Sequence, residues 1–288
     1  MTETIISVEQ LSYVYGANRD AALHGTALQD ITLQIEAGSC AAIIGVTGSG
    51  KSTLIQHFNG LLLPTSGSVM VDGIEVNTQG RDLTRLRQRV GMLFQFPEGQ
   101  LFEKTVFADV AFGPRRLYIS RHEVRLRVLQ ALEQVGLPPR EYAQRSPFEL
   151  SGGQRRRVAL AGILAMRPKI LILDEPGVGL DAEGRRELAQ HLSSLKQQSI
   201  TIVLVSHDMS EVAALADQLF VLHHGHLVMQ GSPRQVFSQA VTLREYGLLP
   251  PPLGSLLALL RQRGLAIPED ITTVDEDFLI LSHQRLAN

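Results

Sequence analysis

Cys40-Ala41-Ala42-Ile43-Ile44-Gly45-Val46-Thr47-Gly48-Ser49-Gly50-Lys51-Ser52 decides the architecture of this chain. An uninterrupted apolar run of this kind reads as a strand buried on both faces. Lys51 to Leu61 reads as a helix, which Leu63-Pro64-Thr65-Ser66-Gly67 breaks. Between strand and helix, Gly45 to Ser52 fits the phosphate-loop pattern G-x-x-x-x-G-K-[ST]. Glycines let backbone N–H groups curl round a phosphate, and the helix behind them points its positive end at the anion. Lys51 supplies a full charge to the β and γ phosphates, and Ser52 offers a hydroxyl to Mg²⁺. Thr53 completes the expected nucleotide contacts of this segment.

Outward from the loop, short aliphatic runs return at Ile170 to Leu173 and Thr201 to Val205, with the helix-like Ala182 to Lys196 between them. That order implies a mainly parallel sheet with right-handed crossovers. Upstream, Ile31 to Ile35 alternates as a half-buried strand does, and Glu36-Ala37-Gly38 turns the chain. Residues 96 to 167 differ: helical periodicity dominates in Glu123 to Val135 and Gln154 to Met166, with frequent prolines. We read this stretch as a helical subdomain inserted into an α/β core spanning 1 to 235. Residues 236 to 288 form an extension with a stiff break at Pro250-Pro251-Pro252 and a candidate helix at Leu253 to Gly264, read as dimer-contact or regulatory.

Composition restricts the function classes. The 288 residues are 44% hydrophobic and 19% charged, as expected for a globular protein with a sizeable core. A net charge of −2 gives no global basic field for nucleic acid. Arg155, Arg156 and Arg157 read as a solvated helix face. The single cysteine, Cys40, rules out a disulfide framework and reads as a small buried hydrophobe. The N-terminus lacks signal-peptide character, and no run of about 18 apolar residues occurs, so a membrane link would go through a partner.

In open parallel sheets, ligands bind outside the carboxyl ends of the strands. Asp174 and Glu175 follow one such run, and Ser206 and His207 another. Asp174 is the expected further ligand of Mg²⁺, through water. Glu175 is placed to orient or deprotonate an attacking water, and His207 to hydrogen-bond the γ-phosphate. Leu150-Ser151-Gly152-Gly153-Gln154 opens a helix with Ser151 as N-cap, a second anion-binding start.

Leu150 to Gln154 resembles the signature motif of ATP-binding-cassette proteins, and the other motifs of that family follow in order. Tyr15 resembles the aromatic that stacks on adenine, with Tyr13 as its rival. Gln95 resembles the Q-loop glutamine that links γ-phosphate and metal to a transmembrane partner. Gly179-Leu180-Asp181 resembles the D-loop, and His207 the switch histidine. The resemblance covers roughly residues 5 to 235. It implies a P-loop NTPase core with an N-terminal antiparallel β portion, ATPase activity, and head-to-tail pairing. In such a pair Ser151, Gly152, Gly153 and Gln154 serve the nucleotide of the other chain.

Phe94 to Glu103, and Phe148 to Gln154 followed by Arg156 to Met166, are similar to the second ATPase subunit of energy-coupling-factor transporters. That branch implies a heterodimer with another cassette ATPase, a transmembrane coupling protein and a substrate-binding membrane subunit. It also implies peripheral attachment at the cytoplasmic face of the cell membrane, and import of a vitamin or transition-metal ion. The coupling protein is expected to dock near Gln95, with Glu98 and Glu103 lining its groove. Gly177-Val178 departs from the Thr-Ala common in this branch. The competing readings are another ABC importer, a soluble cassette on ribosomes or DNA, and a non-hydrolysing regulator. Single-cassette length disfavours the second, and Glu175 the third.

Overall fold

A computed structural model describes residues 3–16, 25–77 and 80–252. The elements run β1 (Thr4–Val14), β2 (Thr26–Glu36), β3 (Cys40–Ile44), α1 (Lys51–Phe58), β4 (Ser66–Val71), β5 (Ile74–Glu75), α2 (Arg81–Arg89) and β6 (Val90–Leu93). Then come α3 (Val106–Val110), α4 (Arg121–Gln134), α5 (Pro139–Tyr142), α6 (Gly152–Leu164), β7 (Ile170–Asp174), α7 (Ala182–Gln197) and β8 (Thr201–Val205). Last are α8 (Met209–Leu215), β9 (Gln218–His223), β10 (His226–Gly231), α9 (Pro233–Phe237) and α10 (Ala240–Glu245).

Two sheets form. An antiparallel sheet has the order β2-β1-β4-β5, and a six-stranded sheet the order β10-β9-β3-β8-β7-β6. In the larger sheet β6, β7, β8, β3 and β9 are parallel neighbours, and β10 closes one edge antiparallel to β9. Every residue of β3, β7 and β8 is buried. Their side chains alternate between opposite cores, as the two-residue period of a strand requires. Leu171, Leu173, Ile202 and Leu204 enter one core with Val128 and Leu132 of α4 and Leu160 of α6. Ile170, Ile172, Val203 and Val205 enter the other with Leu54, Ile55 and Phe58 of α1 and the strands of the first sheet. Each such side chain contributes about 1.5–3 kcal/mol over exposure, so these strands are the rigid frame of the molecule.

Boundaries shift from the sequence reading where local polar groups decide them. The half-buried strand at Ile31 to Ile35 extends over Thr26–Glu36, because β1 pairs with its whole length. The helix expected to Leu61 stops at Phe58, where Asn59 caps it with its N–H on the His57 carbonyl. The helix expected to run to Met166 has Ser151 as its N-cap, as read, and ends at Leu164, where the Ala165 N–H caps it on the Ala161 and Ile163 carbonyls. Between β6 and β7 the described chain carries only helices and turns. The candidate helix at Leu253 to Gly264 lies outside the described residues.

Candidate nucleotide site and its relatives

Strands β3, β8, β7 and β6 lie side by side and run the same way. Their carboxyl ends therefore emerge on one edge, about 4.8 Å apart from strand to strand. The phosphate loop follows β3, Ser206 and His207 follow β8, Asp174 and Glu175 finish and follow β7, and Gln95 follows β6. The sheet order brings these groups together.

Lys51 Nζ donates to the carbonyls of Gly45 (2.8 Å) and Val46 (3.1 Å), so the ammonium sits inside the curl of its own loop. Burial lowers its pKa, while the Glu175 and Asp174 carboxylates oppose that shift. Asp174 is 8% exposed. Burial pushes its carboxyl above the usual range, the Ser52 hydroxyl pulls it back, Glu175 raises it and Lys51 lowers it. Ser52 and Asp174 thus present adjacent hard oxygen donors, one of them a desolvated carboxylate. This donor set fits Mg²⁺ with water and phosphate oxygens completing the shell. Among the described residues no cluster of three or more His, Cys, Asp or Glu forms an all-protein metal cage.

Glu175 sits in left-handed backbone at φ 55, with its N–H donating to the Val205 carbonyl at 2.9 Å. Its carboxylate contacts Nδ1 of His207. The structure thus pairs these two across β7 and β8, a contact the sequence reading did not contain. Ser206 donates to Glu211 at 2.6 Å, and burial, more than its neighbours, raises the Glu211 pKa. A Cβ on Gly177 would lie in ordinary contact with Glu211, 3.7 Å from its Oε1.

Tyr15 is 45% exposed just past β1, its hydroxyl hydrogen-bonded to Thr53 Oγ1 at 3.0 Å. Tyr13 packs against the core and sets its ring 4.9 Å from His57. Both lie beside α1, and Tyr15 is the more exposed of the two. Gln95 is exposed.

Ser151 and Gln154 form a capping box: the Gln154 N–H donates to Ser151 Oγ, and the Ser151 N–H to Gln154 Oε1 at 3.0 Å. Gln154 Nε2 donates to the Tyr142 hydroxyl at 3.2 Å. Both polar side chains are engaged within the chain, which leaves the Gly152 and Gly153 backbone as the outward part of this helix start. Ser151 and Gly153 border a 330 Å³ cleft shared with Gly179 and Asp181.

One sequence reading needs correction. Arg156 is no part of a wet face: it is 9% exposed and donates to the Pro176 and Val178 carbonyls. Glu98 is part-buried, with Oε2 3.8 Å from Arg156 Nη2. Glu103 is held through its backbone N–H by Asp109. The signal for Arg156 was its spacing from Leu160 and Leu164, which places all three on one helix stripe.

A phosphate loop, a strand-end acid pair and a capped glycine helix start on a parallel sheet define an ATP-hydrolysing cassette. The family model for ABC transporters matches residues 28–178. The energy-coupling factor transporter ATP-binding protein EcfA2 of Symbiobacterium thermophilum is 50% identical over 94% of this chain and 93% of its own. That of Caldanaerobacter subterraneus is 49% identical over 94% of each. Among solved structures, cbiO1 of Clostridium perfringens, part of the ABC transporter complex cbiONQ, is 36% identical with a TM-score of 0.75, covering 90% of this chain and 99% of its own. A dimeric ATP-binding cassette in a post-hydrolysis state with ADP and Pi is 30% identical with a TM-score of 0.69, covering 79% and 98%. The chain belongs to the ABC transporter family, among the ATP-binding proteins of energy-coupling factor transporters. It is an ATPase of that class. Among the described residues no helix is long and apolar enough to cross a membrane.

Proposed function

We propose that this chain hydrolyses ATP as one half of a heterodimer with a second ABC ATPase, at the cytoplasmic face of the cell membrane. The pair drives a transmembrane coupling protein and a substrate-binding membrane subunit, and imports a vitamin or transition-metal ion. The observation carrying this reading is the division of the site. Lys51, Ser52, Asp174, Glu175, His207 and Gln95 share one sheet edge, whereas Ser151 to Gln154 open a separate helix beside Asp181. One chain holds one of each half, and a second chain supplies the complement.

The Gly45 to Gly50 loop binds the phosphates through backbone N–H groups, and Tyr15 stacks on adenine. Lys51 exchanges its two carbonyl partners for phosphate oxygens. Ser52 and Asp174 would hold Mg²⁺, which supplies charge neutralisation of the β and γ phosphates. Glu175 aligns water in line with the γ-phosphate and accepts its proton, and His207 keeps Glu175 aimed while reporting the γ-phosphate. The Gly152 and Gly153 N–H groups stabilise the charge developing on the other chain's nucleotide, and the corresponding helix start of the other chain does the same here. Loss of the γ-phosphate opens the interface, and Gln95 relays that motion to the membrane protein.

The test is a pull-down from native membranes in mild detergent, with the bound proteins identified. A second cassette ATPase, a coupling membrane protein and a small substrate-binding membrane protein are expected. A conventional permease in their place overturns the branch. Ribosomes or DNA without a membrane protein overturn the transporter reading.

A further inference from the structure

We propose that Arg156 is the positioning residue that couples the segment after Gln95 to the loop after Glu175, an inference resting on the transporter reading above. One guanidinium joins three pieces of chain. It is carried by α6, the helix that Ser151 caps. Nη1 donates to the carbonyls of Pro176 (2.9 Å) and Val178, in the loop running from Glu175 to Asp181. Nη2 faces Glu98 Oε2 at 3.8 Å, on the turn Pro97–Gln100. Only Phe96 separates that turn from Gln95, and Phe96 is in left-handed backbone at φ 57 with an exposed ring. The planar fork holds two carbonyls on one nitrogen while a second nitrogen faces the carboxylate, a span that the single nitrogen of a lysine does not reproduce.

The contact with Glu98 is incomplete. Glu98 Oε2 is buried without a hydrogen bond, and so is Nε of Arg156. At 3.8 Å the pair attracts by charge but lies outside hydrogen-bond range, so a shift of roughly 1 Å makes or releases the bond. Buried polar atoms left unsatisfied are costly, and a static brace would be better served by a closed pair. The Arg156 fork stays on the Pro176 and Val178 carbonyls while the Glu98 turn tightens or withdraws. Movement of the Gln95 segment by a membrane partner then pulls on the loop that begins at Glu175. Arg156 touches no nucleotide in this scheme and acts through that loop.

The test uses the complex purified from native membranes, with Glu98→Gln, Arg156→Lys and the double variant. Glu98→Gln keeps shape and removes only the charge, so it guards against a folding defect in Arg156→Lys. Each single variant is expected to lower kcat per assembled complex by about tenfold with KM for ATP within about twofold, and the double variant falls no further than either single one. Losses that add, KM rising in step with falling kcat, or wild-type turnover in Glu98→Gln overturn the role of Arg156. A wild-type chain that assembles with no membrane protein overturns the transporter reading first, and this coupling with it.

Discussion

Two alanine substitutions in the phosphate loop separate backbone conformation from crowding. Gly48 and Gly50 both occupy left-handed backbone, at φ 80 and φ 104. A Cβ on Gly48 would meet nothing within 4 Å, whereas one on Gly50 would lie 2.7 Å from the Ala27 carbonyl oxygen and 2.9 Å from Leu28 Cδ2. Gly48→Ala therefore carries only the left-handed penalty, about 1–2 kcal/mol. Gly50→Ala carries that penalty and overpacking against β2, which adds about 1–3 kcal/mol for a total of about 2–5 kcal/mol. At roughly 2–4 °C per kcal/mol for a chain of this size, Tm falls by about 2–8 °C for Gly48→Ala and about 4–20 °C for Gly50→Ala. Thermal unfolding of the purified chain, followed by circular dichroism without nucleotide, reads both values. Equal losses in the two variants, or a larger loss in Gly48→Ala, would refute the claim that β2 packing constrains this loop.

Three further outcomes are expected. Glu175→Gln keeps ATP binding but lowers turnover by about 10²–10⁴-fold, checked by phosphate release beside equilibrium binding; undiminished turnover would remove Glu175 from the chemistry. Asp174 has its folded-state pKa raised by burial, so the folded chain takes up this proton at a higher pH than the unfolded chain does. Its contribution to stability then falls as pH rises from the ordinary carboxylate range through the raised value, above which the full penalty stands. Asp174→Asn accordingly raises the Tm of the nucleotide-free chain at pH 7 while ending Mg-ATP hydrolysis, and a lowered Tm would contradict the assignment of desolvation as the leading cause. Cys40 is 1% exposed, and burial with the Asp217 carboxylate pushes its thiol up to about 12. With about one thiolate in 10⁴ at pH 8, alkylation by iodoacetamide should wait for unfolding, and rapid labelling of the native chain would disprove that burial.

Local chemistry made much of this fold legible. The runs at Cys40, Ile170 and Thr201 are apolar without a break, and only a strand covered on both faces explains such runs. Strand order was not legible, because it is fixed by which distant strands share a core. That order sets His207 beside Glu175, and the phosphate loop one strand further along, next to His207. Arg156 misled for a related reason: a charged residue among arginines reads as solvated, and only the folded chain supplies the carbonyls of Pro176 and Val178 that make its burial tolerable. Ser151 was readable as an N-cap from its type and place. The reciprocal bond, from the Ser151 N–H to Gln154 Oε1, follows from the same spacing, three residues on.

Lys51 bears on how the machine resets between cycles. Its ammonium has two carbonyl oxygens of the loop as partners. When product departs, the charge can fall back on these oxygens without being stranded in a half-buried place, where it would shed its proton or spring the loop apart. An arriving phosphate trades two existing bonds for its own and meets a cradle already in shape. In the pairing proposed above, recovery then turns on the parting of the two chains, because the loop already has its phosphate-binding curl.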